Sequence, residues 1–141
     1  MFGKILLPID ITEPEMGKLA AQEASVLAKA FNSELRLVNV QSLLPIAVLD
    51  YVEKDFESEI LEGLEQEVSA LADGIDCPRE RLSTKILFGP VHHKVLAEAE
   101  AWGADLIVLC SHGSGPDRFL IGSTATAIMQ RAKCSVWVVR R

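Results

Sequence analysis

The sequence is short of the features that mark several large classes of protein. It has three cysteines, Cys77, Cys110 and Cys134, an odd number with no Cys-x-x-Cys pair. Nothing in that spacing points to redox or metal work. The expectation is a reduced, cytoplasmic protein whose cysteines serve as small apolar fillers. Positive charge is in deficit, with 14 Lys and Arg against 20 Asp and Glu and a net charge of −6. A nucleic-acid backbone is therefore not the expected partner, because such binders carry a basic face. A small polyanion stays compatible, since local dipoles hold one without overall positive charge. No apolar run is long enough to span a membrane, and no membrane partner is expected. The opening MFGKILLPID enters a strand-like run directly, with no long apolar core and no small-residue cleavage site, so it does not read as a signal peptide. There is no internal repeat, low-complexity segment or linker. A length of 141 residues suits one domain with one core.

What is there is a 49% hydrophobic chain in which short apolar runs alternate with longer helical patterns. The runs are Ile5–Ile9, Leu35–Val40, Leu82–Phe88, Leu106–Cys110 and Val136–Val139. Their continuity predicts strands buried on both faces, as in a parallel sheet. Thr12, Pro14 and Glu15 signal a helix start, with Glu15 at capping-box spacing from Thr12. Met16, Ala20, Ala24, Leu27 and Phe31 then form a stripe, and Asn32 can close the helix in a left-handed conformation. A second helix carries Phe56, Ile60, Leu64, Val68 and Leu71, with a solvated acidic face from Glu53 to Glu67. A third begins near Gly89-Pro90, carries Val91, Val95, Ala99 and Trp102, and stops at Gly103; a fourth follows Gly122-Ser123. The order βαβαβαβαβ predicts an α/β single domain, an open five-stranded parallel sheet with helices on both faces. The apolar stretch Gln41–Tyr51 either folds over a ligand or partner or covers one end of the core.

Ligands of such sheets bind beyond the carboxyl ends of the strands, where strand order reverses. Pro8–Thr12, Val40–Ser42 and the residues from Ser111 onward are then the candidates. Three known phosphate sites can be tested against these letters. There is no GxxxxGK[ST], so no P-loop, and PIDITEPEM stands where a GxGxxG fingerprint belongs. A receiver domain needs an acid cluster and a late lysine, whereas Asp10 is the only acid directly after the first strand and the third strand ends in Phe88-Gly89. The segment Leu106–Ala132 does fit an anion site: a buried strand, a glycine-bearing loop, then Gly122-Ser123 opening a helix.

Several pieces in fixed order resemble the universal stress protein family over the whole chain. They are Pro8-Ile9-Asp10, Val38-Asn39-Val40, Ala104–Val108, Ser111-His112-Gly113, Gly122-Ser123 and Cys134–Arg140. The resemblance implies strand order 3-2-1-4-5 in an adenine nucleotide α-hydrolase-like arrangement, and ATP, with Mg²⁺, as ligand. Nucleotide-binding members carry Gly-x2-Gly-x9-Gly-[Ser/Thr]. This chain has Cys110-x2-Gly113-x8-Gly122-Ser123, so the first glycine is replaced and the loop is one residue shorter. The short form, with Pro116 in the loop, looks like a subgroup of small bacterial members.

The resemblance also implies roles. Pro8 and Ile9 form an apolar wall against the base, Asp10 accepts from ribose or adenine, and Val40 meets the adenine edge through its backbone. Ser111, His112, Gly113, Gly122, Ser123 and Thr124 line the phosphates, the glycines allowing close backbone approach. Plainer readings stand beside these: Asp10 or Ser123 as a helix cap, Val40 as sheet core, Gly122 as a turn. Ser111 and His112 are not read as a nucleophile–base pair, since sequence neighbours on an extended segment point apart. His92 and His93 read as surface residues facing different directions. Family members pair through the last strand, which implies a homodimer across Val136–Val139, with Trp137 either in that interface or under its own helices. With no general base, acid cluster or phosphate lysine in the letters, nucleotide occupancy is read as a signal rather than as fuel. Two alternatives remain: an interaction module that has lost nucleotide binding, and an ATP-hydrolysing enzyme, whose pyrophosphatase form needs a Ser-Gly-Gly-x-Asp-Ser loop that PIDITEPEM lacks.

Overall fold

The computed structural model describes residues 1–41, 54–111 and 122–140, with side chains in the second stretch from 58 onward. The elements run β1 (Lys4–Ile9), α1 (Pro14–Phe31), β2 (Glu34–Gln41), α2 (Lys54–Asp73), a 3-10 turn at Arg79–Arg81, β3 (Leu82–Phe88), α3 (Val91–Trp102), β4 (Leu106–Cys110), α4 (Ser123–Arg131) and β5 (Ser135–Val139). The five strands form one parallel sheet in the order β3-β2-β1-β4-β5. Alternate residues of β1 feed opposite faces of the sheet. Ile5, Leu7 and Ile9 pack with Ala20, Ala24 and Ala28 of α1 and Val68 and Ala72 of α2. Leu6 packs on the other face with Val95 and Ala99 of α3 and Ala125 and Ile128 of α4. The central strands β1 and β4 are nearly all apolar because both their faces are covered, whereas β2 admits Arg36 and Asn39, and the edge strand β3, with Ser83, Thr84 and Lys85, buries no residue fully.

Local chemistry moves two expected features. The Thr12–Glu15 capping box does not form. Thr12 donates both its N–H (2.9 Å) and its hydroxyl (2.6 Å) to Asp10 Oδ1. The cap position falls to Glu13, which makes no side-chain cap bond, and Pro14 opens α1. A carboxylate two residues back takes these donors in a turn and leaves nothing for a box. The seam of α1 is also rotated toward its small residues. Gly17, Ala20, Ala24 and Ala28 are buried, while Phe31 lies at the surface edge-on to Phe2. Gly17 lies directly against Ile9, where a Cβ would make ordinary contact at 3.8 Å. In α2, Val68 and Ala72 are buried and Ile60 is exposed, and Glu59, Glu62, Glu65 and Glu67 face solvent. Both left-handed helix ends occur, at Asn32 (φ 56°) and Gly103 (φ 79°). Burial pushes the thiols of Cys77 and Cys134 up from their usual value, in keeping with a packing role.

An ion cluster joins the sheet to α3. Glu98 is 5% exposed and receives Arg36 at 2.7 Å and Lys85 at 3.0 Å. Arg36 also donates to Ser83 at 2.9 Å and lies 4.5 Å over the Trp102 ring, which a second cation, Lys4, approaches at 5.4 Å. One carboxylate thus ties β2, β3 and α3 together.

The ladder is continuous from β2 to β1 as far as Ile9, and from β4 to β5 as far as Cys110. Between β1 and β4 it stops at Leu6↔Ile107. The Gly3 carbonyl takes the Glu34 N–H on the β2 side, so alternation turns the peptide groups of Lys4, Leu6 and Pro8 toward β4. The next rung needs an N–H from residue 8, and proline has none. Pairing therefore ends where strand order reverses.

Replacing Pro8 with alanine supplies the missing donor, and the residue-8 amide becomes protected in hydrogen exchange. Stability shifts by less than about 1 kcal/mol, because the new bond is offset by a looser unfolded chain. Glu98→Ala strands Arg36 and costs about 2–3 kcal/mol in urea unfolding. Lys133→Ala, which breaks an exposed pair with Glu100 (3.0 Å), costs less than about 1 kcal/mol.

Candidate functional site

A cavity of about 590 Å³ opens at the carboxyl ends of β1, β2 and β4, over the break in the ladder. That volume is in the range of small-molecule and cofactor sites. Pro8, Ile9, Asp10, Val40, Ser111, Gly122, Ser123 and Thr124 all line it. His112 and Gly113 lie outside the described residues. Thr12, Met16, Gly17, Gln41, Cys110 and the apolar residues Val91, Val95 and Leu109 complete much of the wall.

Each wall has a local cause. On the β1 side the chain turns at once. The Asp10 carbonyl accepts the Glu13 N–H at 3.1 Å, and Asp10 Oδ1 holds Thr12 twice. The exposed carboxylate is thereby fixed at the rim, and no described group donates to its second oxygen. Asp10 therefore braces the turn ahead of α1 rather than capping the helix.

On the β2 side the strand outruns β1, since Ile9 stands opposite Asn39 and Val40 and Gln41 continue beyond it. The Gln41 carbonyl accepts the Gly89 N–H at 2.9 Å, so Gln41 turns its peptide groups to β3 and Val40 turns its own toward β1. Beyond the end of β1 the Val40 carbonyl has no ladder donor. Asn39, 2% exposed, lashes the two strand ends together through a bond from Nδ2 to the Ile9 carbonyl at 3.0 Å.

On the far side stands the start of α4. Gly122 is its cap residue and makes no side-chain cap bond, so Ser123 is the first helical residue rather than the cap. The N–H groups of the first turn have no intrahelical acceptor. No acidic residue lies in that turn to compete for them, and the Ser123 and Thr124 side chains are exposed. Thr126 bonds back to the Gly122 carbonyl through its N–H (2.9 Å) and hydroxyl (3.0 Å), closing the turn behind them. The wall between carries Cys110 and Ser111. Ser111 is buried and extends β4 by one bond from its N–H to the Val139 carbonyl at 2.9 Å.

Among the described residues the rim therefore offers a carboxylate, a backbone carbonyl and a row of N–H groups without partners, over an apolar floor. Such a set suits a ligand that is flat and hydrogen-bonding at one end and anionic at the other. Among the described residues no group of three His, Cys, Asp or Glu side chains could hold a metal ion. His92 and His93 do not diverge; their rings lie 4.4 Å apart at 32°, at the start of α3. Among the described residues no helix is long and apolar enough to cross a membrane.

Gln41 falls in the candidate stretch Val40–Ser42 but is given no role by the sequence reading, and Asn39 is missed as a residue that shapes the site. Their signal was present, as two amides at the carboxyl end of β2.

Comparison with known proteins agrees with this architecture. The chain is 28% identical over 142 residues to Universal stress protein A homolog 2 of Coxiella burnetii, covering 99% of this chain and 95% of that one. The solved structure of universal stress protein UspA from Lactobacillus plantarum superposes with a TM-score of 0.71 at 25% identity, covering 98% of this chain and 97% of that one. A universal stress protein from Archaeoglobus fulgidus, solved in complex with dAMP, shares the fold at a TM-score of 0.64 and 18% identity, with 98% of each chain covered. The profile of the Universal stress protein family matches residues 1–140, and the chain belongs to that family.

Proposed function

We propose that this chain is a single-domain cytoplasmic protein that binds ATP in the cavity and serves as a nucleotide-occupancy sensor or regulator in a stress response. The observation that carries the reading is the meeting, in one cavity, of the β1 and β2 ends with the uncapped start of α4. A structural neighbour in complex with dAMP supports an adenylate as the ligand class.

The base lies against Pro8 and Ile9, with its amino edge at the Val40 carbonyl. Asp10 accepts a sugar hydroxyl. Ser123 and Thr124 donate backbone N–H groups and hydroxyls to phosphate oxygens, and Gly122 admits the phosphates without a Cβ in the way. His112, Gly113 and Ser111 belong to the same set by family resemblance. The helix start does the work of positive charge, which suits a chain of net charge −6. Magnesium retains most of its water and is held largely through substrate phosphates. With no metal-holding cluster among the described residues, it would arrive with the nucleotide rather than in a protein cage.

Cys110 favours a second reading. A cysteine lines the cavity where the family's nucleotide-binding pattern has glycine, which suits a member that has become an interaction module.

The chain is further proposed to pair with a second copy along β5. That strand is the sheet edge, and Trp137 on it is 44% exposed rather than tucked beneath its own helices.

Calorimetric titration of the purified protein with ATP is expected to give saturable binding, and denaturation to release adenine nucleotide. Gly122→Leu weakens binding at least about tenfold, the equivalent of ~1.4 kcal/mol, with an unchanged circular dichroism spectrum. Absence of binding at millimolar ATP with the fold intact selects the interaction module, and rapid turnover to AMP and pyrophosphate selects an enzyme. For the pairing, sedimentation is expected to report a dimer for the native chain and a monomer for Trp137→Lys; a native monomer contradicts it.

A further inference from the structure

The proposed site gives no part in ligand binding to Gln41, which lines the cavity, or to Asn39, to which it is bonded. Asn39 and Gln41 alternate with Val38 and Val40 and so share one face of β2. Asn39 Nδ2 donates to the Ile9 carbonyl at 3.0 Å, and Gln41 Nε2 donates to Asn39 Oδ1 at 2.6 Å.

The direction of this chain is dictated by its far end. A backbone carbonyl only accepts, so Asn39 turns its NH₂ to Ile9 and its oxygen toward Gln41. Gln41 must then offer its own NH₂. Flipping Asn39 sets its oxygen against the Ile9 carbonyl, and flipping Gln41 sets its oxygen against Asn39 Oδ1. Gln41 keeps Oε1, to which no described group donates, and one spare Nε2 hydrogen for the cavity it lines. The Val40 carbonyl, also without a ladder donor, is one residue away. The strand end is thus a patch of two acceptors held by a buried relay.

We propose that Gln41 reads the 6-position of a purine ring. Its Oε1 accepts one hydrogen of the exocyclic amine of adenine, while the Val40 carbonyl accepts the other. The inference rests on the adenylate reading of the cavity. A 6-oxo purine brings an oxygen against the Val40 carbonyl, which has no hydrogen to offer, and against Oε1 unless Gln41 turns its spare N–H inward, so inosine and guanosine nucleotides bind more weakly. Discrimination of this kind is large because the site's own polar groups are left unsatisfied by the wrong ligand. Asn39 touches no ligand. It is a positioning residue that fixes which end of the Gln41 amide is offered.

The test uses the full chain and three ligands: ATP, ITP and purine riboside 5′-triphosphate, which has hydrogen at position 6. The native protein is expected to bind ATP at least about tenfold more tightly than ITP, with the 6-hydrogen ligand between them. Gln41→Met, similar in length and without hydrogen-bonding groups, is expected to lose about fivefold to tenfold for ATP and to narrow the ATP-to-ITP ratio. Its affinity for the 6-hydrogen ligand stays within about twofold of native. An unchanged ATP-to-ITP ratio in the variant overturns the role of Gln41 and leaves the adenylate site standing. An equal loss for all three ligands also overturns it, since that marks a structural role. Native protein that binds ATP no more tightly than the 6-hydrogen ligand overturns it without any variant. Failure of the native protein to bind any of the three removes the adenylate reading, and this inference with it.

Discussion

The site depends on a hydrogen bond that cannot form. Pro8 stands in β1 with its peptide group directed at β4, and without an N–H it ends that ladder at Leu6↔Ile107. The outer ladders, β1 to β2 and β4 to β5, run on to the strand ends. The sheet is therefore continuous at its amino end and unpaired at the carboxyl end of its centre, where the strand order reverses. The walls of the cavity follow from that break. Asp10 comes directly after β1, Val40 overhangs it, and the chain leaving β4 returns at Gly122 to start α4. Asn39 keeps the break from spreading by lashing β1 to β2 with a side chain.

Electrostatics is divided between the two ends of the molecule's work. Formal charge is buried away from the cavity, where Glu98 holds Arg36 and Lys85 and fixes α3 against β2 and β3. The cavity itself uses backbone dipoles: an unspent carbonyl on β2 and unspent N–H groups on α4. Among its described lining residues there is no lysine or arginine. Dipoles fixed by secondary structure need no reorganisation when a ligand arrives, and they are compatible with an acidic chain.

Much of this was legible in the letters, and what was not has physical reasons. β4 could be read because a strand covered on both faces is apolar without interruption; β3 also falls where its run places it, although it is an edge strand interrupted by Ser83, Thr84 and Lys85 and not buried on both faces. The helix ends at Asn32 and Gly103 were legible because few residues tolerate a left-handed conformation. The capping box failed because local competition decided it. Asp10 lies two residues before Thr12, and a charged acceptor that close claims both of its donors. The stripe read on α1 holds at Ala20 and Ala24, and Leu27 packs against the core, but it leaves out Gly17 and Ala28 and includes the exposed Phe31, because small side chains pack nearest the sheet. The Glu98 cluster was illegible because its partners lie 62 and 13 residues away, and a glutamate within a helix looks like a surface residue until the fold brings Arg36 and Lys85 to it. Family resemblance supplied the grouping of Asp10, Val40 and Gly122. The amide pair on β2 came only from the structure, because its meaning lies in the direction of a hydrogen-bond chain.

The central claim is that the broken centre of the sheet receives an adenine nucleotide between β2 and α4. Amide chemical shifts of the ¹⁵N-labelled protein titrated with ATP test it most directly. The account predicts saturable shifts concentrated at Asp10–Thr12, Val40, Gln41 and Gly122–Ala125, with the Arg79–Arg81 turn at the other end of β3 unmoved. Shifts that gather anywhere other than the carboxyl ends of β1, β2 and β4, or no shifts at saturating nucleotide, would contradict it.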